Sequence, residues 1–149
     1  FIGMTMDTKK EETARAVLEG TAFALRSVVE VFQRHGAAPD CLRVTGGGAK
    51  NEIWLKIKAA VLNLPVLVLD EKTGDVPFGD AIIAGSAVGI YEDMDRTVQE
   101  IVRVKRVIQP DPKWVEIYEK IYPFFLRFYR SLDCDLREYE RLTMNGKRE

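Results

Sequence analysis

Three consecutive glycines, Gly46 to Gly48, are the residues that most directly suggest chemistry in this sequence. They follow a short apolar run, Leu42 to Thr45, and precede a helical pattern that begins at Asn51. Strand, glycine turn and helix in this order commonly hold a nucleotide, because glycine lets a ligand approach bare backbone. Three glycines also lose more backbone entropy on folding than a simple tight turn requires. We therefore predict a ligand-contacting turn, with a purely structural tight turn as the simpler alternative.

Two known phosphate-binding sequences fit this turn poorly or only in part. A Walker A loop needs G-x-x-x-x-G-K-[ST], whereas Lys50 follows three glycines and an alanine, with no Ser or Thr after it. This excludes a P-loop NTPase. In the dinucleotide pattern G-x-G-x-x-G, Asp70 stands about where a ribose-binding acid would, but Asn51 occupies the third glycine position. An NAD-binding oxidoreductase module therefore remains an alternative.

Other polar residues are interpreted as structural. The single histidine, His35, ends a predicted helix, where it complements the helix dipole. Asp80 is expected in the first turn of a later helix, where the dipole favours a negative charge. Cys41 and Cys134 have no companion at metal-ligand spacing, so we expect free thiols and no metal site.

The glycine turn is predicted to lie in an α/β layer. Leu42 to Thr45 and Val66 to Leu69 are typical of short strands, and a continuous apolar run such as the second fits a strand covered on both faces. A helix is expected from Asn51 to Leu62, ended by Pro65. This order predicts a parallel strand pair joined by a right-handed crossover.

A long amphipathic helix is predicted before this layer. Thr8 and Glu11 have the spacing of a capping box with Thr8 as N-cap, and Gly36 follows the last helical residues. Apolar positions recur at intervals of three and four. They are Ala14, Val17, Leu18, Thr21, Leu25, Val28 and Phe32.

After the layer, residues 81–91 are apolar nearly all round. Ala81, Gly85 and Gly89 share one face, which predicts a buried helix pressed against neighbouring backbone. A short helix is expected over 95–102. The basic residues among the valines of 103–110 predict an exposed or edge strand.

The last predicted element is an aromatic helix from Lys113. Its stripe is interpreted as core rather than as a platform for bases. Pro123 is expected to kink or restart the helix, and the charged tail, 137–149, to fray. The stripe consists of Trp114, Tyr118, Ile121, Phe125, Phe128 and Leu132.

Composition narrows the class of protein. Of 149 residues, 46% are hydrophobic and 30% charged, as expected for one globular domain over 1–149. The 22 basic and 23 acidic residues give a net charge of -1, without the positive surface that nucleic-acid binding needs. No apolar stretch predicts a membrane span and no signal pattern is present, so a cytoplasmic protein is expected. Because the chain opens on Phe1, we interpret it as a fragment that begins within a fold.

Three segments together resemble the C-terminal lobe of the FGGY family of carbohydrate kinases. Residues 14–26, ARAVLEGTAFALR, are similar to the family's long helix, and residues 43–54, RVTGGGAKNEIW, to its nucleotide-contacting turn. Residues 75–91, DVPFGDAIIAGSAVGIY, look like its small-residue helix. The PDP sequence at 110–112 and the aromatics after it fit the usual ending. The sequence most resembles the xylulokinase-like sugar kinases of the family.

This resemblance implies the distal part of the C-terminal lobe of an actin-like (ribonuclease-H-like) ATPase fold. We expect an α/β structure with a short, mostly parallel sheet flanked by long helices. In such kinases two lobes close over sugar and ATP. An aspartate of the first lobe takes a proton from a sugar hydroxyl, which attacks the γ-phosphoryl with help from Mg²⁺. That lobe is absent here, so the resemblance implies no catalytic residue and an inactive fragment.

The resemblance also implies a nucleotide site at Gly46, Gly47, Gly48 and Asn51. Gly47 would let its backbone approach adenine or ribose, while Gly46 and Gly48 shape the turn. Asn51, on the first turn of the following helix, would hydrogen-bond the nucleoside.

The whole protein is expected to phosphorylate a pentulose-type, xylulose-like sugar or a related polyol. Its expected partners are ATP, Mg²⁺ and the sugar. Binding to nucleic acid or to a membrane is not expected, and the formation of a homodimer is left as a possibility. A catalytically silent sugar-kinase-like regulator and the NAD-binding module are the alternatives.

Overall fold

A three-stranded sheet carries the glycine turn in the computed structural model, which describes residues 1–72, 74 and 76–145. The strands are β1 (Leu42–Val44), β2 (Val66–Leu69) and β3 (Val104–Ile108). The helices are α1 (Lys10–Arg34), α2 (Glu52–Leu62), α3 (Val76–Ala87), α4 (Met94–Ile101) and α5 (Pro112–Asn145). A short 3₁₀ helix, Gly47–Lys50, lies between β1 and α2.

The sheet has the order β1–β2–β3. Leu42 lies opposite Val66 in the parallel pair β1–β2, and Val66 lies opposite Ile108 in the antiparallel pair β2–β3. The predicted α/β class, the parallel crossover and the edge strand are confirmed. The sheet has one parallel and one antiparallel pairing among the described residues, so half of it is parallel.

The start of α1 differs from the prediction by one residue. Lys9 is the N-cap, and its backbone N–H donates to the Glu12 carboxylate at 2.9 Å. Thr8, predicted as the N-cap, instead accepts a hydrogen bond from the Thr5 N–H at 2.8 Å. Thr8 is therefore used in the turn before the helix, and Glu12 replaces Glu11 as the residue that reaches back.

The end of α1 agrees with the prediction. Gly36 has a φ of +85°, and the Ala37 N–H donates to the Phe32 carbonyl at 3.0 Å. These are features of a Schellman ending, in which glycine takes the left-handed position. Nδ1 of His35 lies 2.8 Å from the Val31 carbonyl oxygen, as expected for a structural histidine.

The buried face of α1 is rotated from the predicted one. Ala22 and Phe23 are buried, whereas the predicted core positions Val17, Val28 and Phe32 are 49%, 50% and 56% exposed. The reason is that α2 and α5 pack only on the side of α1 that carries Ala22 and Phe23. Periodicity identified an amphipathic helix correctly but did not identify the side that its neighbours cover.

Helix α3 is half-exposed rather than fully buried. Ile82 and Gly85 are its buried residues, and Ile83 is 58% exposed. A Cβ on Gly85 would lie 2.6 Å from Cε2 of Tyr91, so this glycine makes room for an aromatic ring and not for neighbouring backbone. Gly89, with a φ of +78°, lies past the helix end in the left-handed region.

Helix α5 continues through Pro123, so the predicted restart is wrong, while the alternative of a kink stays a prediction. The predicted fraying of the tail is also wrong as far as Asn145, where α5 ends. An ion pair of 2.9 Å between Arg137 and Asp133, one turn apart, supports this segment. The last four residues, 146–149, lie outside the described part.

The core between α1, α2 and α5 is aromatic and is bordered by polar contacts. The Phe23 ring lies 5.7 Å from Tyr118 and 5.4 Å from Phe125, centroid to centroid. The Tyr118 hydroxyl donates to Glu19 at 2.8 Å. Burial, and then the hydrogen bond to Glu19, raises the pKa of Tyr118 to about 12, so the hydroxyl stays protonated at neutral pH.

The predicted aromatic stripe is core only in part. Tyr118 is 3% exposed and Phe125 packs against the core, but Ile121, Phe128 and Leu132 are 41%, 43% and 46% exposed. Within the described residues, no helix is both long enough and apolar enough to cross a membrane.

Candidate functional site

Gly46 gives the turn its shape. It follows β1 directly after Thr45 and has φ 69° and ψ −157°, a region of backbone space that is essentially reserved for glycine. Its carbonyl accepts a hydrogen bond from the Ala49 N–H at 3.1 Å, which closes the 3₁₀ turn. The predicted role of Gly46 in shaping the turn agrees with this geometry.

Ala49 anchors the turn to the sheet. Its side chain is 8% exposed and packs with Leu55, Val66 and Val68. A guanidinium N–H of Arg106, on β3, donates to the Ala49 carbonyl at 3.4 Å. The turn is thus held in place by the apolar packing of Ala49 and by the hydrogen bond from Arg106.

Gly47 and Gly48 have different surroundings. A Cβ placed on Gly48 would lie 3.2 Å from Cζ3 of Trp54, so the chain itself has a reason for glycine there. A Cβ on Gly47 would have no heavy atom within 4 Å, and Gly47 is not among the residues with positive φ. Neither the fold nor the backbone conformation requires glycine at position 47, and this is the observation expected where a ligand needs bare backbone.

Asn51 is the N-cap of α2 rather than a residue of its first turn. Its Oδ1 accepts a hydrogen bond from the Trp54 N–H at 3.1 Å. This corrects the predicted position and restricts the predicted role. Oδ1 is engaged by the cap, whereas the Nδ2 amide protons have no acceptor among the described residues.

Three residues that the sequence did not reveal as part of the site support the turn. Nε1 of Trp54 donates to the Thr21 hydroxyl at 3.1 Å, which connects the turn to α1. The Lys58 ammonium lies 3.6 Å from the centre of the Trp54 ring, an arrangement typical of a cation–π contact. The spacing of Trp54 and Lys58, four residues apart on one helix face, was the available signal.

Thr45 adds a polar atom at the base of the turn. Its Oγ1 is buried and has no hydrogen-bond partner in the described part of the chain. A buried hydroxyl without a partner costs free energy, so this position is less relaxed than the neighbouring strand.

The remaining candidate residues do not join the turn in a catalytic arrangement. Oδ1 of Asp70 accepts a hydrogen bond from the Lys72 N–H at 2.9 Å and so closes its own local turn. Asp80 is the fifth residue of α3 and exposed, so its predicted place in the first turn is wrong. No group of three or more His, Cys, Asp or Glu residues that could hold a metal occurs within the described ranges.

The nearest carboxylate along the chain is suited to pairing rather than to proton transfer. Glu52 contacts Lys56 at 2.9 Å and Arg106 at 3.6 Å. The hydrogen bond from Lys56, followed by the attraction of that charge, lowers the pKa of Glu52. Glu52 is therefore not placed to act as a general base at the turn.

Comparison with known protein families finds a match that includes the glycine turn and the helices around it. The model of the C-terminal domain of the FGGY family of carbohydrate kinases matches residues 1–88, which include α1, the glycine turn and all of α3.

The relatives include two pentulose kinases and a solved structure. The xylulose kinase of Staphylococcus epidermidis is 28% identical over 131 residues, covering 88% of this chain and 26% of that protein. The ribulokinase of Halalkalibacterium halodurans is 35% identical over 135 residues, covering 87% of this chain and 24% of that protein. The crystal structure of xylulose kinase from Rhodospirillum rubrum superposes with a TM-score of 0.77 at 30% identity, covering 92% of this chain and 28% of that one. The chain thus spans about a quarter of the length of these relatives.

We predict that Gly46→Ala and Gly47→Ala affect stability very differently. Gly46→Ala forces a side chain into a glycine-only conformation and should lower the free energy of unfolding by about 1 to 3 kcal/mol. Gly47→Ala meets no atom and should leave stability unchanged or raise it by up to about 1 kcal/mol. Denaturant unfolding of the two variants measures this difference. Equal destabilisation by both would contradict the separate roles assigned here.

Proposed function

The chain belongs to the FGGY family of carbohydrate kinases, and we propose that the protein containing it transfers a phosphoryl group from ATP to a pentulose. Xylulose or a similar sugar or polyol is the proposed acceptor. In this proposal residues 1–149 are the distal part of the C-terminal lobe and bind the nucleotide, while the other lobe binds the sugar.

One observation carries the placement of the nucleotide. In the described part of the chain, no heavy atom lies within 4 Å of a Cβ built on Gly47, and Gly46 and Ala49 explain the conformation and anchoring of the turn. The amide protons of Asn51 have no acceptor among the same residues. The ribose or adenine of ATP offers such acceptors, so the nucleoside is proposed to lie across Gly47 towards the start of α2.

The proposed division of labour follows from what the turn contains. Its residues can bind and orient a nucleotide, but none can take a proton from a sugar hydroxyl. The base and the contacts that stabilise the transferring phosphoryl group are therefore assigned to the rest of the protein. Mg²⁺ would neutralise phosphate charge in the intact protein, and no residue of this chain is assigned a role in holding it. The 149-residue chain alone is accordingly expected to be inactive.

The names of the relatives support a pentulose as acceptor. The two curated relatives described above are named for xylulose and ribulose, which are both five-carbon ketoses. A cytoplasmic location is proposed because Cys41 and Cys134 are both free, as suits a reducing compartment. A homodimer stays a prediction.

The NAD-binding alternative is not favoured. A Rossmann unit continues with further parallel strands, whereas the next strand along this sheet, β3, is antiparallel to β2. Asp70, the proposed ribose acid in that alternative, is used in a local turn. The catalytically silent regulator remains the second candidate. An assay of phosphoryl transfer by the full-length protein distinguishes it from an active kinase.

An assay of the full-length protein with ATP and a panel of ketopentoses and polyols tests the proposed function. We expect ADP formation that depends on one pentulose, with xylulose and ribulose as the first acceptors to try. Nucleotide binding without transfer to any acceptor would favour the silent regulator. Tighter binding of NAD than of ATP would overturn the proposal.

Gly47→Val in the full-length protein tests the position of the nucleotide. A branched side chain at this open position should occupy the space of the ligand, and we expect the dissociation constant of ADP to rise by more than about tenfold. Gly47→Ala should cause a smaller increase, because its side chain is smaller. Calorimetric titration measures both, with the melting temperature as the control for folding. Unchanged ADP affinity in Gly47→Val would place the nucleotide elsewhere.

Asn51→Asp separates ligand binding from helix capping. Aspartate keeps the oxygen that caps α2 but lacks the amide protons, so stability should be retained while ATP binding weakens by about 1 to 3 kcal/mol. Because the nucleoside contact is the same in ground and transition states, KM for ATP should rise more than kcat falls. Asn51→Ala should show the same KM change together with a lower melting temperature. Loss of kcat with unchanged KM for ATP would assign Asn51 to the chemical step.

A further inference from the structure

Lys58 is a half-buried cation beside the glycine turn, and the proposed function has not used it. It lies on α2, one turn after Trp54, with its ammonium over the Trp54 ring. A Cβ placed on Gly48 would be 3.8 Å from Nζ of Lys58, which puts the charge next to the turn.

The ammonium of Lys58 has no anionic partner among the described residues. The two nearest lysines in sequence are both paired, Lys50 with Glu71 at 3.6 Å and Lys56 with Glu52 at 2.9 Å. In the described part of the chain, the Lys58 ammonium contacts the face of the Trp54 ring and no carboxylate, and burial lowers its pKa. A partly desolvated cation without a counter-charge is stabilised strongly by an anion that comes close to it.

Trp54 connects Lys58 to the rest of the fold. Nε1 of Trp54 donates a hydrogen bond to the Thr21 hydroxyl, and the Lys58 ammonium lies over the face of the same ring. Because the ammonium is also close to the position that a Cβ on Gly48 would occupy, its charge lies beside the turn.

We propose that Lys58 is a nucleotide-binding residue that meets a phosphate group of ATP at the glycine turn. The inference rests on the proposed function, which places the nucleoside across the neighbouring Gly47. Of the parts of ATP, only the phosphates carry the charge that an unpaired ammonium attracts, and adenosine is neutral. Lys58 thus adds an electrostatic contact to the backbone and amide contacts of Gly47 and Asn51.

Titration calorimetry of the full-length protein with adenosine, AMP and ADP tests this inference. Lys58→Met keeps the apolar stem over Trp54 and removes the charge. The dissociation constants of AMP and ADP should rise about tenfold, the usual size of a lost charge-assisted hydrogen bond. The dissociation constant of adenosine should stay within about twofold of the wild-type value. Lys58→Arg keeps the charge and should retain most of the AMP and ADP affinity. Lys56→Met removes a paired lysine from the same helix and should leave all three ligands unchanged.

The salt dependence of ADP affinity is a second measurement, and a purely structural role of Lys58 would not change it. The ADP affinity of the wild type should fall more steeply with added sodium chloride than that of Lys58→Met, because the screened contact is missing in the variant. Should Lys58→Met not fold, Lys58→Gln with the same three ligands gives the same comparison.

Three results would overturn the inference. They are unchanged AMP and ADP affinity in Lys58→Met, an equal loss for adenosine, and a lower melting temperature as the sole effect. Different results would contradict the proposed function. These are a wild type that does not bind ADP, or a Gly47→Val variant that binds ADP with wild-type affinity. A wild type that binds ADP and a Gly47→Val variant that does not, together with an unaffected Lys58→Met, would overturn the role of Lys58 alone.

Discussion

Arg26 connects the three helices on which the position of the glycine turn depends. Its guanidinium contacts Glu30 on α1 at 3.3 Å and Glu119 on α5 at 2.8 Å, and it donates to the Val61 carbonyl near the end of α2 at 3.2 Å. It also lies 4.2 Å over the ring of Tyr122. Because its side chain is only 17% exposed, these contacts are little screened by water. The C-terminal end of α2 is thereby fixed, and the N-terminal end of the same helix carries the site.

The charged residues of the segment LEGTAFALR make contacts between helices. Glu19 and Arg26, which flank Ala22 and Phe23, make the contacts that join α1 to α5. Neither contacts the glycine turn in the described structure. Thr21, between them, reaches the turn through Trp54. One stretch of α1 thus holds the lobe together on one face and supports the site on another.

The sequence predicted the features that depend on local residue patterns. It missed the features that depend on which elements lie next to each other in the folded chain. Strands, the crossover and the ending of α1 at Gly36 follow from periodicity and from residue-specific backbone angles, and these were correct. The covered side of α1 and the exposed half of α3 depend on where other helices lie, which periodicity does not contain. At the candidate site, the ligand-binding roles of Gly46 and Gly47 stay predictions, and Asn51 was placed one position too far into the helix. Trp54 and Lys58 were missed because their proximity to the Gly48 position is visible only in the folded chain.

The anchoring of the turn has a consequence for how a ligand is received. Ala49 is packed in the core, Asn51 already caps α2, and Gly46 is held in its unusual conformation by the hydrogen bond from Ala49. The turn is therefore preorganised, because its conformational entropy is lost when the chain folds. For the proposed nucleotide, this predicts an association rate that is not limited by rearrangement of the turn.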